Sequence, residues 1–243
     1  MKYSKMICDM CDQFDFRSNF LFDGLTPAQS NRIQNLFEPI NFQKESKLFY
    51  ENGIPTGVFL VERGLVKKSK VTAGREQILY IYTQGDLLGH HALLSNERYQ
   101  HCCEALKHSK VNFLSSSNFF RLLEDVPMLK NSLISNLSHE FGVMANAISL
   151  FAQKTQNTRL ALFLLVLESR YKKFKPDFDG IGIARQDLAN LIGATRESLG
   201  RSLKEFKDRG LLTIESKAIH IQNHEMLFEM LSDNNVTTKK PLS

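Results

Sequence analysis

Residues 184–212 read ARQDLANLIGATRESLGRSLKEFKDRGLL, and this stretch predicts a helix-turn-helix. A first helix, from about Arg185 to Ile192, ends at Gly193, which suits the tight turn that joins the two helices. Thr195 can then cap the second helix through its side-chain oxygen. Residues spaced by three and four share a helix face, so this second helix should bury one apolar face: Leu199, Leu203 and Phe206.

The opposite face of the second helix carries charged side chains suited to major-groove readout. Arginine can donate two parallel hydrogen bonds to guanine, and glutamate can accept one from cytosine. Arg196 and Glu197 lie at the N-terminal end, which is the end of a recognition helix that normally meets the bases. Gly200 keeps the face small enough for close approach. The expected DNA-contacting residues are Thr195, Arg196, Glu197, Ser198, Arg201 and Lys204.

The residues that flank this motif complete the predicted DNA-binding domain. Lys204 and Lys207 are expected to contact phosphates or solvent, where they would position the protein without reading sequence. After Gly210, residues 211–214 and 218–221 alternate like two short strands and predict a wing. A two-helix surface unit with solvated charges is the alternative, and the combination of turn glycine, capping threonine and following hairpin argues against it.

The region from about 38 to 116 is predicted to be β structure. Short apolar stretches recur at 47–50, 58–61, 65–71, 77–82 and 111–114. Six of the 13 glycines lie between positions 53 and 89, where they separate these stretches. Glycine-punctuated short strands are typical of a sandwich or small barrel.

A long helical region follows, from about 118 to 173, with a near-heptad apolar seam. This seam could cover the protein's own barrel or form a dimerisation coiled coil. It runs for about five turns, longer than a small barrel needs, so we favour the dimer. The seam residues are Leu133, Leu137, Phe141, Met144, Ile148 and Phe151.

Composition and charge limit the possible functions. The net charge of +5 and pI of about 9.0 are compatible with a nucleic-acid partner. The longest apolar run, Leu160 to Leu167, is too short for a membrane span, and residues 1–10 lack a signal-peptide core, so we expect a cytoplasmic protein. The sequence lacks a P-loop, G-x-S-x-G and H-E-x-x-H, which argues against an enzyme.

Breaks in the pattern divide the chain into five segments. These are a leader (1–24), a β sensor domain (25–126), a central dimerisation helix (127–156), a winged helix-turn-helix domain (157–232) and a polar tail (233–243) that is expected to be disordered.

Three stretches resemble the Crp/Fnr family of bacterial regulators. They are YIYTQGDLLG at 80–89, NTRLA at 157–161 and GATRESLGR at 193–201. The resemblance implies an α+β fold with a cyclic-nucleotide-binding-like β-roll (a double-stranded β-helix), a long central dimer helix and a C-terminal winged helix-turn-helix. It also implies a homodimer on double-stranded DNA, with RNA polymerase as a further partner. Half-sites of a near-palindrome would lie ~34 Å apart, and Arg196, Glu197 and Arg201 would read G·C pairs in a half-site resembling TGTGA.

The resemblance also locates an effector pocket, in which cyclic AMP is not expected. Where cyclic-AMP-binding members carry a ribose-binding Glu, this chain has His90, and their Arg-Ser pair is replaced by Tyr99-Gln100, with Arg98 one residue away. Losing the charge-assisted contact to the phosphate costs roughly 1.5 to 3 kcal/mol. The candidate pocket residues are Gly89, His90, His91, Arg98, Tyr99, Gln100 and Met144.

The cysteines and histidines leave the cofactor open. Cys8, Cys11, Cys102 and Cys103 could together bind an iron–sulfur cluster or zinc, but their spacing departs from that of the family's oxygen sensors. Haem or nitric-oxide sensing is a second possibility, because imidazole and thiolate ligands lie at or near the expected pocket: His90, His91, His101, Cys102 and Cys103. The structural alternative is favoured, because neighbours on a strand, such as His90 and His91, would face opposite ways. A regulatory β-roll subunit that does not bind DNA is a remote alternative.

Overall fold

The computed structural model describes residues 2–16, 23–175 and 177–232, so the predicted tail at 233–243 and part of the leader lie outside the described residues. The chain forms two units. The first, called the β unit here, comprises Asp15–Met144 and Lys173–Pro176. The second, called the helical unit, comprises Met1–Phe14, Ala145–Lys172 and Asp177–Ser243.

The described residues of the β unit form two four-stranded antiparallel sheets. The strands are β1 (Glu38–Phe42), β2 (Lys47–Phe49), β3 (Gly57–Arg63), β4 (Val66–Thr72), β5 (Arg75–Tyr82), β6 (Leu87–Leu88), β7 (Cys102–Ala105) and β8 (Ser109–Ser115). Their order is β1-β8-β3-β6 in one sheet and β2-β7-β4-β5 in the other. Apolar side chains of both sheets meet in one core, including Phe49, Phe59, Tyr82 and Val111. The five predicted strands are present, whereas β1, β6 and β7 lacked a sufficient apolar run to be predicted.

The helices of the described residues are α1 (Lys2–Cys11), α2 (Pro27–Gln34), α3 (His90–Ser95), α4 (Ser116–Asp125), α5 (Pro127–Gln153), α6 (Gln156–Phe174), α7 (Arg185–Ile192), α8 (Arg196–Asp208) and α9 (His224–Ser232). Helix α2 begins at a reciprocal capping box formed by Thr26 and Gln29. None of the described helices has the length and hydrophobicity needed to cross a bilayer.

The Gln84-Gly85-Asp86 segment forms a tight turn before β6. The buried carboxylate of Asp86 accepts a hydrogen bond of 2.8 Å from the backbone N–H of Thr83. Gly85 has a φ of +88°, which favours glycine, and its N–H donates to the carbonyl of Val61. This motif therefore has a structural role, fixing the chain path into α3.

The helical unit contains the predicted helix-turn-helix and wing. Gly193 ends α7 with a φ of +65°, and the turn leads directly into α8. Strands β9 (Leu212–Glu215) and β10 (Ala218–Ile221) pair antiparallel through a two-residue turn at Ser216 and Lys217, both with positive φ. The apolar run 160–167 lies within α6, where every one of its residues is buried.

The assignment of Leu133 to the dimer seam was wrong. Leu133 is only 4% exposed and packs in the core of the β unit with Leu129 and Phe119. Its neighbour Ile134 is 55% exposed and shares a seven-residue spacing with Phe141 and Ile148, which are 78% and 70% exposed. Both Leu133 and Ile134 fit the three- and four-residue spacing of the seam. Because Leu133 packs into the core of the β unit, Ile134 is the residue left exposed on the stripe.

Candidate DNA interface and sensor cavity

The second helix of the motif, α8, presents the predicted charged face to solvent. Leu199, Leu203 and Phe206 are buried on its inner side. Arg196, Glu197, Arg201 and Lys204 are exposed on the opposite side, where Nη2 of Arg201 lies 3.8 Å from Oε1 of Glu197. Such an exposed pair contributes little stability, so both side chains can exchange this contact for a ligand.

Gly200 leaves the middle of this charged face open. A Cβ atom added at Gly200 would have no atom within 4 Å. Gly200 therefore leaves open space next to the backbone of α8.

Two of the predicted DNA-contacting residues, Thr195 and Ser198, form hydrogen bonds within the helical unit. The hydroxyl oxygen of Thr195 accepts a hydrogen bond of 3.1 Å from the N–H of Ser198 and so caps α8. Ser198 is half-buried, and its hydroxyl donates to the side chain of Gln156 on α6. These two residues hold the helix in place, so the exposed charged face of α8 consists of four side chains: Arg196, Glu197, Arg201 and Lys204.

The β unit contains a cavity of about 560 Å³ at the predicted effector position. Of the seven candidate residues, His91, Gln100 and Met144 line it. Sequence reasoning missed Phe16, Lys68 and Glu140, because they come from distant parts of the chain. Glu97 and His101, which also line the cavity, directly flank the candidate residues 98–100.

The remaining candidates do not line the cavity. Arg98 is exposed, and its Nη1 donates to the backbone carbonyl of Asn52 at 2.9 Å. Tyr99 is buried in the core, where its ring stacks on Phe49 with centroids 3.8 Å apart. Gly89 and His90 are not lining residues either: Gly89 stands at the entry to α3 in a left-handed conformation, and His90 is completely buried.

Phe16, from the leader, fills part of the interior of the β unit. Its ring is fully buried and stacks on Tyr80 with centroids 3.6 Å apart. Its N–H donates to the hydroxyl of Tyr80, which in turn donates to the carboxylate of Asp15, each at 2.8 Å. The leader therefore contributes a wall of the cavity.

The described lining residues do not fit a cyclic nucleotide. None of them is an arginine that could hold a phosphate by two hydrogen bonds. Lys68 is the lining side chain that most resembles such an arginine, but burial lowers its pKa and so disfavours its charged form. His90, the residue expected at the position of the ribose-binding glutamate, is completely buried.

His90, His91 and Glu140 converge beside the cavity. The prediction that the two histidines face apart was wrong, because they open helix α3 rather than lie on a strand, and their ring centroids are 4.1 Å apart. Nε2 of His91 lies 2.8 Å from Oε2 of Glu140, and Nε2 of His90 lies 3.6 Å from Oε1. Asn136 donates to Oε1 of the same carboxylate at 2.6 Å.

Burial and the proximity of the imidazoles to the carboxylate set the protonation states of His90 and Glu140. Burial lowers the pKa of His90, which favours the neutral imidazole. Burial alone would raise the pKa of Glu140, but the two imidazoles beside it hold that pKa at about 2. The site therefore combines a neutral imidazole at His90 with an ionised carboxylate at Glu140.

The thiols of β7 are poor candidates for a reactive centre. Cys103 is buried and Cys102 half-buried, and the Sγ of Cys102 donates to the carbonyl of Phe49 at 3.3 Å. Burial raises the pKa of both thiols, so they remain protonated at neutral pH. On α1, Cys8 is exposed and Cys11 is buried.

Comparisons with known proteins agree with this architecture. Residues 39–126 match the cyclic nucleotide-binding domain, and residues 158–230 match the Crp-like helix-turn-helix domain. The chain is 28% identical to the fumarate and nitrate reduction regulatory protein of Vibrio cholerae, over 92% of this chain and 89% of that one. It is also 28% identical to the transcriptional activator protein anr of Pseudomonas aeruginosa, over 73% and 74% of the two chains.

A solved structure shows the same fold. FixK2 from Bradyrhizobium japonicum superposes with a TM-score of 0.71 at 22% identity, covering 80% of this chain and 96% of that one. A cyclic nucleotide-binding-type domain followed by a Crp-like helix-turn-helix defines a DNA-binding transcription regulator. The chain belongs to the Crp/Fnr family. The prediction of a regulator rather than an enzyme is confirmed by this membership.

Proposed function

We propose that this regulator binds a near-palindromic operator as a homodimer, with one α8 helix of each protomer in the major groove. The observation that carries the proposal is the exposed charged face of α8. Arg196, Glu197 and Arg201 project from a helix whose opposite side is anchored in the core. These groups can read guanine and cytosine edges, and Lys204 can bind phosphate.

The apolar stripe on α5 supports the dimer. Ile134, Phe141 and Ile148 are exposed at seven-residue intervals along this 27-residue helix. A heptad stripe of this kind packs against its own copy in a two-stranded coiled coil, and it gives the two-fold symmetry that a palindrome requires. The half-exposed partners at the intervening positions are Leu137, Met144 and Phe151.

Control of DNA binding is assigned to the cavity of the β unit, with an effector other than a cyclic nucleotide. The protonated thiols at Cys102 and Cys103 give no support to redox sensing at that position. RNA polymerase is the proposed partner through which the DNA-bound regulator would act on transcription. The proposed location of the protein is the bacterial cytoplasm.

The proposal is tested by selecting binding sequences from a random DNA pool with the full-length protein. We expect a near-palindromic consensus whose half-sites lie about one helical turn apart. Replacing Arg196 and Arg201 together by alanine should abolish preference for that consensus, since each base contact contributes about 1–3 kcal/mol of discrimination.

A charge-matched control separates readout from simple electrostatics. The double variant Lys44→Ala, Arg75→Ala removes the same two charges from exposed positions of the β unit and should keep the preference. A consensus that survives Arg196→Ala and Arg201→Ala, or the lack of any preferred sequence in the wild type, would reject the proposal.

A further inference from the structure

We infer that His90, His91 and Glu140 form a binding site for a divalent first-row transition-metal ion of the Zn²⁺ type. One ligand atom from each residue can be chosen so that all three lie within 4.8 Å of one another. In a tetrahedral zinc site with bonds of about 2.0–2.2 Å, ligand atoms lie about 3.3–3.5 Å apart. The observed 3.6 Å between His90 and Glu140 is already close to that spacing.

The burial of the cluster is the second observation that points to a ligand. His90 is completely buried and Glu140 is 2% exposed. Within the described part of the chain, neither ring nitrogen of His90 makes a hydrogen bond, and Oε2 of Glu140 has no hydrogen-bond partner of good geometry. Buried polar atoms of this kind are costly unless they are satisfied, and a metal ion would satisfy both residues together.

The donor set selects the class of metal. Two imidazoles and one carboxylate suit Zn²⁺, Co²⁺, Ni²⁺ or Fe²⁺, whereas Ca²⁺ and Mg²⁺ require oxygen ligands. Asn136 donates a hydrogen bond to the carboxylate and so orients it, as outer partners of metal ligands commonly do.

The site is of the open type. Three protein ligands leave at least one position on a tetrahedral ion for water or another ligand. His91 and Glu140 line the 560 Å³ cavity, so this open position would face a space large enough for a small molecule. Lys68 lines the same cavity and would balance the charge of an anion bound there.

The ion would connect two elements of the β unit. His90 and His91 begin α3, whereas Glu140 lies on α5, next to Phe141 of the exposed stripe. Binding would therefore fix the position of α5, the helix assigned to dimerisation. This regulatory consequence rests on the proposed function, but metal binding itself does not.

Metal binding is tested on the full-length protein after treatment with a chelator and dialysis. Titration with Co²⁺ should give visible d–d absorption that saturates at one ion per chain, and Zn²⁺ should displace it. His91→Ala and Glu140→Gln should each weaken Co²⁺ binding at least 10-fold. His91 is part-exposed at the cavity wall, so its variant is expected to fold, which circular dichroism would verify.

Two controls make the assignment specific. His108→Ala removes an exposed histidine of the same unit and should leave Co²⁺ binding unchanged. Co²⁺ held by thiolates gives intense sulfur-to-metal charge-transfer bands in the near ultraviolet, so Cys8→Ser identifies binding at the leader.

Three results would overturn the inference: thiolate charge-transfer bands, absence of saturable Co²⁺ binding, or wild-type affinity in both the His91→Ala and Glu140→Gln variants. Operator binding by the metal-free protein is measured separately, so failure here is distinguishable from failure of the proposed function.

Discussion

The hydroxyl of Ser198 donates a hydrogen bond of 2.7 Å to Oε1 of Gln156. The amide nitrogen of the same Gln156 donates to the buried hydroxyl of Ser202, also at 2.7 Å. One side chain at the start of α6 thus holds two successive turns of α8. This bridge, together with the apolar packing of α8, holds the exposed charged face in its orientation.

Replacing Gln156 by alanine should loosen α8. Loss of the bridge leaves the buried Ser202 hydroxyl without its partner, which costs about 1–3 kcal/mol. We expect a lower free energy of unfolding and faster amide hydrogen exchange in α8. The neighbouring variant Asn157→Ala removes an exposed bond to Glu205 and should change stability by no more than about 0.5 kcal/mol. Equal effects of the two variants would show that the bridge has no special role.

Gly200 allows stability and DNA binding to be separated. Since a Cβ there meets no atom within 4 Å, Gly200→Ala should fold normally and stabilise α8 by about 0.5–1 kcal/mol. The same methyl group would stand between the helix backbone and the bases, so operator affinity should fall. Thermal unfolding and fluorescence anisotropy measure the two effects. An unchanged affinity in the more stable protein would mean that α8 does not approach DNA at this residue.

The helix-turn-helix could be predicted because its signals are local. The capping Thr195, the left-handed Gly193 and the apolar spacing of α8 all act within a few residues of one another. By contrast, α3 has six residues, and Gly89 provides no side-chain cap for it. The sequence therefore gives no sign of a helix there and favours a strand instead.

Only part of the cavity in the β unit could be predicted, because the rest of its lining comes from distant segments. Glu140 is 50 positions from His90 in sequence, and Phe16 comes from the leader. Glu140 is the only acidic residue in α5, and this is the sequence signal that could have pointed to the cluster. The choice between Leu133 and Ile134 likewise depends on which of them meets the β unit.

The exposed stripe on α5 yields a test of assembly. Ile148→Glu places a charge on the proposed dimer interface, where it would be buried without a partner. We expect this variant to sediment as a monomer and to lose high-affinity operator binding, because a monomer reaches only one half-site. Ser149→Glu introduces the same charge one position away on the exposed surface of α5 and should remain dimeric. A wild type that sediments as a monomer yet binds the palindrome with full affinity, or an Ile148→Glu variant that remains dimeric, would show that this stripe does not join the protomers.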